Sequence, residues 1–290
     1  MTEIRIDALS GLRTIIVARP GVGSDLAVIA QPTAPTADEP CLHVEPVLRH
    51  DAPDPPPQDD PGLFEALAAR GSHEVIATDP GSARSLAELS DEQAKAAVEV
   101  WRERMRVHDA ASYVHLSVDE GPDAGHPHAT LHAMDFVPAA VARERERFSA
   151  YAVRTMGANL LEDLVAEEVR RRERIVAIDN EAVLWCPYAS AQPYQLMLAP
   201  RRRRERFEDD GPSGAGLLHR GLRLLRERFE ASPPLSLWIR TAPRDADRFC
   251  WRIDIVPRLR PPAGLELGTG VACNPVAPER AACELRGLAR

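Results

Sequence analysis

Gly125-His126-Pro127-His128-Ala129-Thr130-Leu131-His132 is the stretch on which the fold and the function of this chain both turn. Three histidines and a threonine occupy every second position. Side chains alternate across an extended strand, so His126, His128, Thr130 and His132 would share one face. Residues 133–138, ending in Pro138, close the unit. A Gly/Pro/Asp loop over 119–125 delivers the chain from a strand at 112–118, and two adjacent antiparallel strands are the simplest reading. Pro127 has no backbone N–H, which places the histidine strand at a sheet edge or at a bulge.

Upstream, residues 4–6 and 14–17 read as short strands around the turn Ser10-Gly11. Residues 31–62 are rich in Pro, Asp and Ala and read as a long loop with one strand at 43–48. Another strand is expected at 73–77. Ser90 can cap a helix with Gln93 as its capping-box partner, and Ala94, Ala97, Val98, Trp101 and Met105 keep helical spacing to about His108. Downstream, 139–173 reads as a helical connector that Gly157 can split.

The pattern then recurs. Strands at 175–177, 182–185 and 195–200, a helix from Gly216 to about Phe229, and strands at 235–240 and 249–257 repeat the order strand, helix, strand, loop, strand. Residues 224–229 echo 100–105, and Pro257 answers Pro138. The expected fold class is α+β, with a duplicated unit built on antiparallel sheets. Its divisions are 1–138, carrying the histidine strand, the connector 139–173, and 174–290.

Composition narrows the function. The 290 residues carry a net charge of −8, against a general nucleic-acid binder. Lys95 is the single lysine, so cationic ligand contacts fall to arginine, and lysine Schiff-base chemistry has no candidate. Cys41, Cys186, Cys250, Cys273 and Cys283 are scattered, with no Cys-x-x-Cys, so neither a disulfide framework nor a zinc knuckle is expected. No signal core or membrane-length run is present, and a cytoplasmic location is expected.

His126-Pro127-His128 opening a strand resembles the His-Pro-His of the galactose-1-phosphate uridylyltransferases, a duplicated branch of the histidine-triad superfamily. Further segments resemble that family in the same order. They are 5–11, 73–76, 85–89, Pro193-Tyr194, 263–270 and Asn274-Pro275-Val276. The resemblance implies two histidine-triad-like half-domains forming an internal pseudo-repeat, and a homodimer. It implies an enzyme that moves an NMP group between a nucleotide or nucleotide sugar and a phosphorylated small molecule. By position His128 is the nucleophile, forming a nucleotidyl-histidine, and imidazole chemistry suits the task. His126 and Thr130 would support it. Arg19 would contact phosphate, while Asp51, Asp119 and His132 are further substrate-binding candidates. His132 reads equally well as an exposed strand residue, and His128 alone would read as a strand histidine with no catalytic task.

The departures from the family are as informative. The resemblance puts one metal site at Cys41, a position near 82 and His126, but Leu42-His43 follows Cys41 and Ser82-Ala83-Arg84 supplies no histidine. The second site falls on Cys250-Trp251-Arg252, Arg240 and, as the remaining ligand, Glu168. Neither set suits a metal, so no metal or cofactor is expected, and an Arg–carboxylate pair among Arg240, Arg252 and Asp254 is read as the structural substitute. Thr130 stands where the family has a glutamine, and His50-Asp51-Ala52 stands in the base-binding loop. Substrates other than UDP-glucose and galactose 1-phosphate are therefore expected. The alternatives are a nucleotide hydrolase or phosphorylase of the same superfamily, or a catalytically degenerate nucleotide-binding protein.

Overall fold

The computed structural model describes residues 2–6, 13–17, 43–44, 48–51, 66–68, 70–77, 83–121, 127–259, 261, 264–269, 272 and 274–288. Side chains are described from residue 70 onward, apart from 265, 266 and 269. The first strands are β1 (Thr2–Ile6), β2 (Arg13–Val17), β3 (His43–Val44), β4 (Leu48–Asp51), β5 (Ala66–Ala68) and β6 (Arg70–Ala77). Helix α1 (Asp91–Val107) leads to β7 (Tyr113–Glu120) and β8 (His128–Met134). Helices α2 (Ala139–Arg154) and α3 (Leu160–Arg171) follow. The second half runs β9 (Ile175–Ile178), β10 (Ala182–Trp185), β11 (Leu196–Pro200), α4 (Ala215–Arg228), β12 (Leu235–Arg240) and β13 (Arg252–Pro257). It ends with α5 (Gly264–Thr269) and α6 (Pro278–Leu288).

The order β6-α1-β7-β8 is repeated as β11-α4-β12-β13, so the fold is the expected α+β pseudo-repeat. The two units share one ten-stranded antiparallel sheet, ordered β3-β6-β8-β7-β12-β13-β11-β10-β9 with β4 also on β6. The seam is β7–β12, where Asp119 pairs with Ser236 and Ser117 with Trp238. A separate three-stranded sheet has the order β2-β1-β5. The strand expected over 43–48 is two pieces, pairing with β6 at Val44↔Ile76 and Leu48↔His73. Pro46, which cannot donate to a ladder, stands between them.

One face of the sheet is the main core. Ala129, Leu131 and Ala133 of β8 and Val114, Leu116 and Val118 of β7 bury there against Trp101 and Met105 of α1. Leu222 and Leu225 of α4, and Ala282 and Leu285 of α6, continue the layer. Ser90 caps α1 with the expected capping box: its hydroxyl accepts from Gln93 N, and Gln93 Oε1 accepts from Ser90 N at 2.8 Å. Buried Arg102 of α1 donates to Phe207 O and to Ser213 O, and its guanidinium lies 3.8 Å from the Phe207 ring centroid. That side chain ties the first unit to the second.

On the opposite face, α2 and α3 cover the second unit. Phe148, Leu161 and Val165 pack with Val183, Trp185 and Phe249 in a separate cluster. The helical connector breaks between α2 and α3, where Met156 and Gly157 have φ of 57° and 114°. Glycine adopts that backbone at little cost, as the sequence leads one to expect at Gly157. Among the described residues no helix is long and apolar enough to cross a membrane.

Candidate active site

Strand β8 lies inside the sheet, between β6 and β7, and not at an edge. Nor is a bulge needed. Pro127 precedes the first paired residue, and pairing starts at His128↔Ala77, so the missing N–H falls outside the ladder. The alternation is as expected from there on. Ala129, Leu131 and Ala133 face the core, while His128 and Thr130 are half-buried and His132 is exposed on the other face. His126 lies outside the described residues, as does Arg19.

The loop after β7 starts later than the sequence implies. The strand continues through Glu120, because Asp119 and Glu120 keep pairing with Ser236 and Leu235 of β12. This matters for Asp119. Val118 pairs with Ala129, so the next register positions, Asp119 and His128, stand side by side on one face. Ser236 Oγ donates to Asp119 Oδ1 at 2.5 Å. Arg258, just past β13, donates from Nη1 to Asp119 Oδ1 at 3.0 Å and to Ser236 Oγ at 3.3 Å. His128, Asp119, Ser236 and Arg258 thus form one polar patch across four strands' width.

Thr130 is the next residue on that face, about 7 Å along the strand from His128. It pairs with Val75 and Ser117. His132 is a further two residues away, about 13 Å from His128. It sits in a different row, with His73 and His115 as its cross-strand neighbours. The His73 and His132 rings are 5.9 Å apart. Burial, with Arg240 and His132 nearby, pushes the His115 imidazole down to about 4, so it is neutral at pH 7. The structure does not bring Asp51 to His128. Asp51 pairs with Arg70, at the end of β6 opposite Ala77, roughly 20 Å along the strand.

The second expected metal position holds cations instead. Arg252 donates to Asp254 at 3.0 Å and to both carboxylate oxygens of Glu144, at 2.6 and 3.2 Å. Arg240 Nε lies 3.4 Å from Glu144 Oε2. The carboxylate at this place is Glu144 of α2, not Glu168. Glu168 is on α3 and is taken by Arg174 at 3.0 Å. Cys250 is buried, its thiol pushed up to about 11 by that burial, and its Sγ donates to Trp251 O. Despite burial, Asp254 and Glu144 hold the Arg252 guanidinium above its ordinary range. Two guanidiniums, engaged with the Glu144 and Asp254 carboxylates, offer a cation no ligand and repel it. Among the described residues no group of three His, Cys, Asp or Glu side chains is placed to hold one.

Sequence reasoning missed Ser236, Arg258 and Glu144. Arg258 was within reach, since it follows Pro257, the residue matched to Pro138, with the face parity of Arg252 and Asp254. Glu144 carries no such signal. Its role exists only because α2 folds back over β12 and β13.

Fold and site together define a duplicated α+β protein with His128 beside an Asp119–Arg258 ion pair on the open face of a shared sheet. In sequence and in fold the chain is a galactose-1-phosphate uridylyltransferase-like protein. It is 30% identical over 207 residues to the galactose-1-phosphate uridylyltransferase of Rattus norvegicus, a match covering 68% of this chain and 54% of that protein. It is 24% identical over 245 residues to the ADP-glucose phosphorylase of Arabidopsis thaliana, covering 79% and 68%. A solved uridylyltransferase structure superimposes with a TM-score of 0.85 over 98% of both chains at 21% identity, a likeness that carries the fold. The chain spans little more than half the length of the curated uridylyltransferases it matches. No protein-family model matches it.

Proposed function

We propose that the protein is a nucleotidyltransferase in which His128 carries the nucleotidyl group. The observation that supports this most is the placement of His128. It opens the central strand of the first unit, half-buried on the open face of the sheet, beside Asp119 and on the face of Thr130. In the first step an imidazole nitrogen attacks the α-phosphorus of a nucleotide or nucleotide sugar. A P–N bond forms, the bond from that phosphorus to the bridging oxygen breaks, and the phosphorylated remainder leaves with the electron pair. In the second step a phosphate oxygen of the acceptor attacks, and the P–N bond breaks. The rigid sheet supplies orientation. The Thr130 hydroxyl can donate one hydrogen bond to the transferring phosphate.

Arg19 as a phosphate contact and His126 as the residue orienting His128 belong to this reading by resemblance. His132 and Asp51, about 13 and 20 Å along the strands, would meet only the far end of a ligand. The chemistry is read as metal-free, because guanidiniums stand at the second metal position. A cytoplasmic location and a homodimer complete the reading, the first from the scattered cysteines and the second from resemblance.

The Arabidopsis thaliana relative named as an ADP-glucose phosphorylase favours a second reading, in which inorganic phosphate is the acceptor. Both readings share the covalent step. The protein is to be incubated with a panel of NTPs and nucleotide sugars and weighed intact. An added NMP mass is expected with at least one of them and absent in His128→Ala. No adduct with any nucleotide, together with no thermal shift, would contradict both readings.

A further inference from the structure

We infer that Arg258 is a phosphate-binding residue of the His128 site, held ready for the phosphate of the acceptor by Asp119, Ser236 and the backbone of Glu120. This rests on the nucleotidyl-transfer reading for its place in a reaction, but its geometry stands apart from that reading. Arg258 follows β13, and its side chain crosses β12 to reach Asp119 on β7, the residue beside His128. Three bonds fix the guanidinium. Nη1 serves Asp119 and Ser236, and Nη2 donates to Glu120 O at 2.8 Å. These bonds run through Nη1 and Nη2, out of the five N–H donors that a guanidinium carries. Gly121 supplies the room, since a Cβ there would meet Arg258 Nη2 at 3.3 Å.

The pair is poised to exchange partners. Arg258 and Asp119 are both about half exposed, at 46% and 57%, and ion pairs of that exposure are weak. A phosphate offers a guanidinium stronger, bidentate hydrogen bonds than one carboxylate oxygen does. Two other arginines on this face, Arg252 and Arg240, are held by Glu144 and Asp254, at the opposite end of the strands from His128. With lysine present only as Lys95 on α1, Arg258 is the guanidinium bonded to Asp119, the residue beside His128.

Inorganic phosphate, followed by calorimetry and by thermal shift, is the probe. Wild type and His128→Asn should both bind it saturably, because the site is not the histidine itself. Arg258→Ala should weaken binding at least about tenfold and Arg258→Lys less, since a point charge lacks the fork. Asp119→Asn should tighten binding by removing the competing carboxylate. A merely structural ion pair would lower the melting temperature in both Arg258→Ala and Asp119→Asn and leave phosphate affinity unchanged. That result, or absence of phosphate binding in wild type, overturns the inference. The outcome is separable from the transfer reading. Phosphate binding that depends on Arg258, with no adduct and no thermal shift from any nucleotide, supports the inference and sinks the reading. An adduct on His128 with Arg258→Ala binding phosphate as wild type does the reverse.

Discussion

At the scale of single residues, environment rather than residue type decides the chemistry. His115 and His128 are both strand histidines, but His115 is held neutral by burial and Arg240, whereas His128 opens toward the polar patch. Glu120 shows the same principle on the core face. It is 3% exposed, accepts from Leu86 N, and keeps Oε2 without a partner among the described residues. Burial pushes its carboxyl up to about 7. A carboxyl with a raised folded value keeps its proton longer in the native state, so it costs stability as pH rises from 4.5 through about 7. Glu120→Gln should therefore gain on wild type across that window, by on the order of 2–3 kcal/mol at pH 8. Denaturant unfolding at pH 4, 6 and 8 checks this, and a difference independent of pH would rule it out. The sequence shows Glu120 only as an acidic residue at a strand end. Its burial depends on the turn at Leu86, 34 residues away.

At the scale of elements, local chemistry was legible and tertiary placement was not. The capping box at Ser90, the break at Gly157 and the alternation of β8 all follow from spacing and side-chain type. The expectation of an edge strand at Pro127 failed because the ladder starts one residue later, which leaves no donor missing. Glu168 matches the remaining ligand by resemblance and reads otherwise as a salt-bridged helical residue; it is salt-bridged to Arg174, and the return of α2 over β13 brings Glu144 to the arginines instead. Helix α2 is pinned to the sheet there by Arg240, Arg252 and Glu144, all less than a third exposed. Glu144→Ala leaves two guanidiniums with Asp254 alone. It should destabilise the fold by on the order of 2 kcal/mol, with Glu144→Gln milder. Unfolding curves matching wild type for both variants would show that the cluster does not hold α2.

At the scale of the whole molecule, the repeat was legible because the two units keep one order of elements at nearly constant spacing. That the units fuse at β7–β12 was not. Pairing partners so far apart in sequence leave no periodic trace. Arg102 makes the second connection, and its guanidinium is pushed down to about 10 by burial while satisfying Phe207 O and Ser213 O. Arg102→Ala strips the buried Phe207 carbonyl and the half-buried Ser213 carbonyl of their donor and opens a void beside the Phe207 ring. A loss on the order of 3 kcal/mol is expected. Chemical denaturation should report it, and a change below about 0.5 kcal/mol, the range of ordinary surface substitutions, would contradict the bridging role.

The transfer chemistry as a whole depends on His128 as the carrier of the nucleotidyl group. The most direct measurement is to locate the label after brief exposure to α-32P-labelled nucleotides that give an adduct. Phosphorus bound to imidazole nitrogen is acid-labile and stable to mild alkali. The account predicts such label on the peptide containing His128, discharged when a phosphorylated acceptor is added. Label on another residue, or label on the His128 peptide that no phosphorylated acceptor removes, would contradict it.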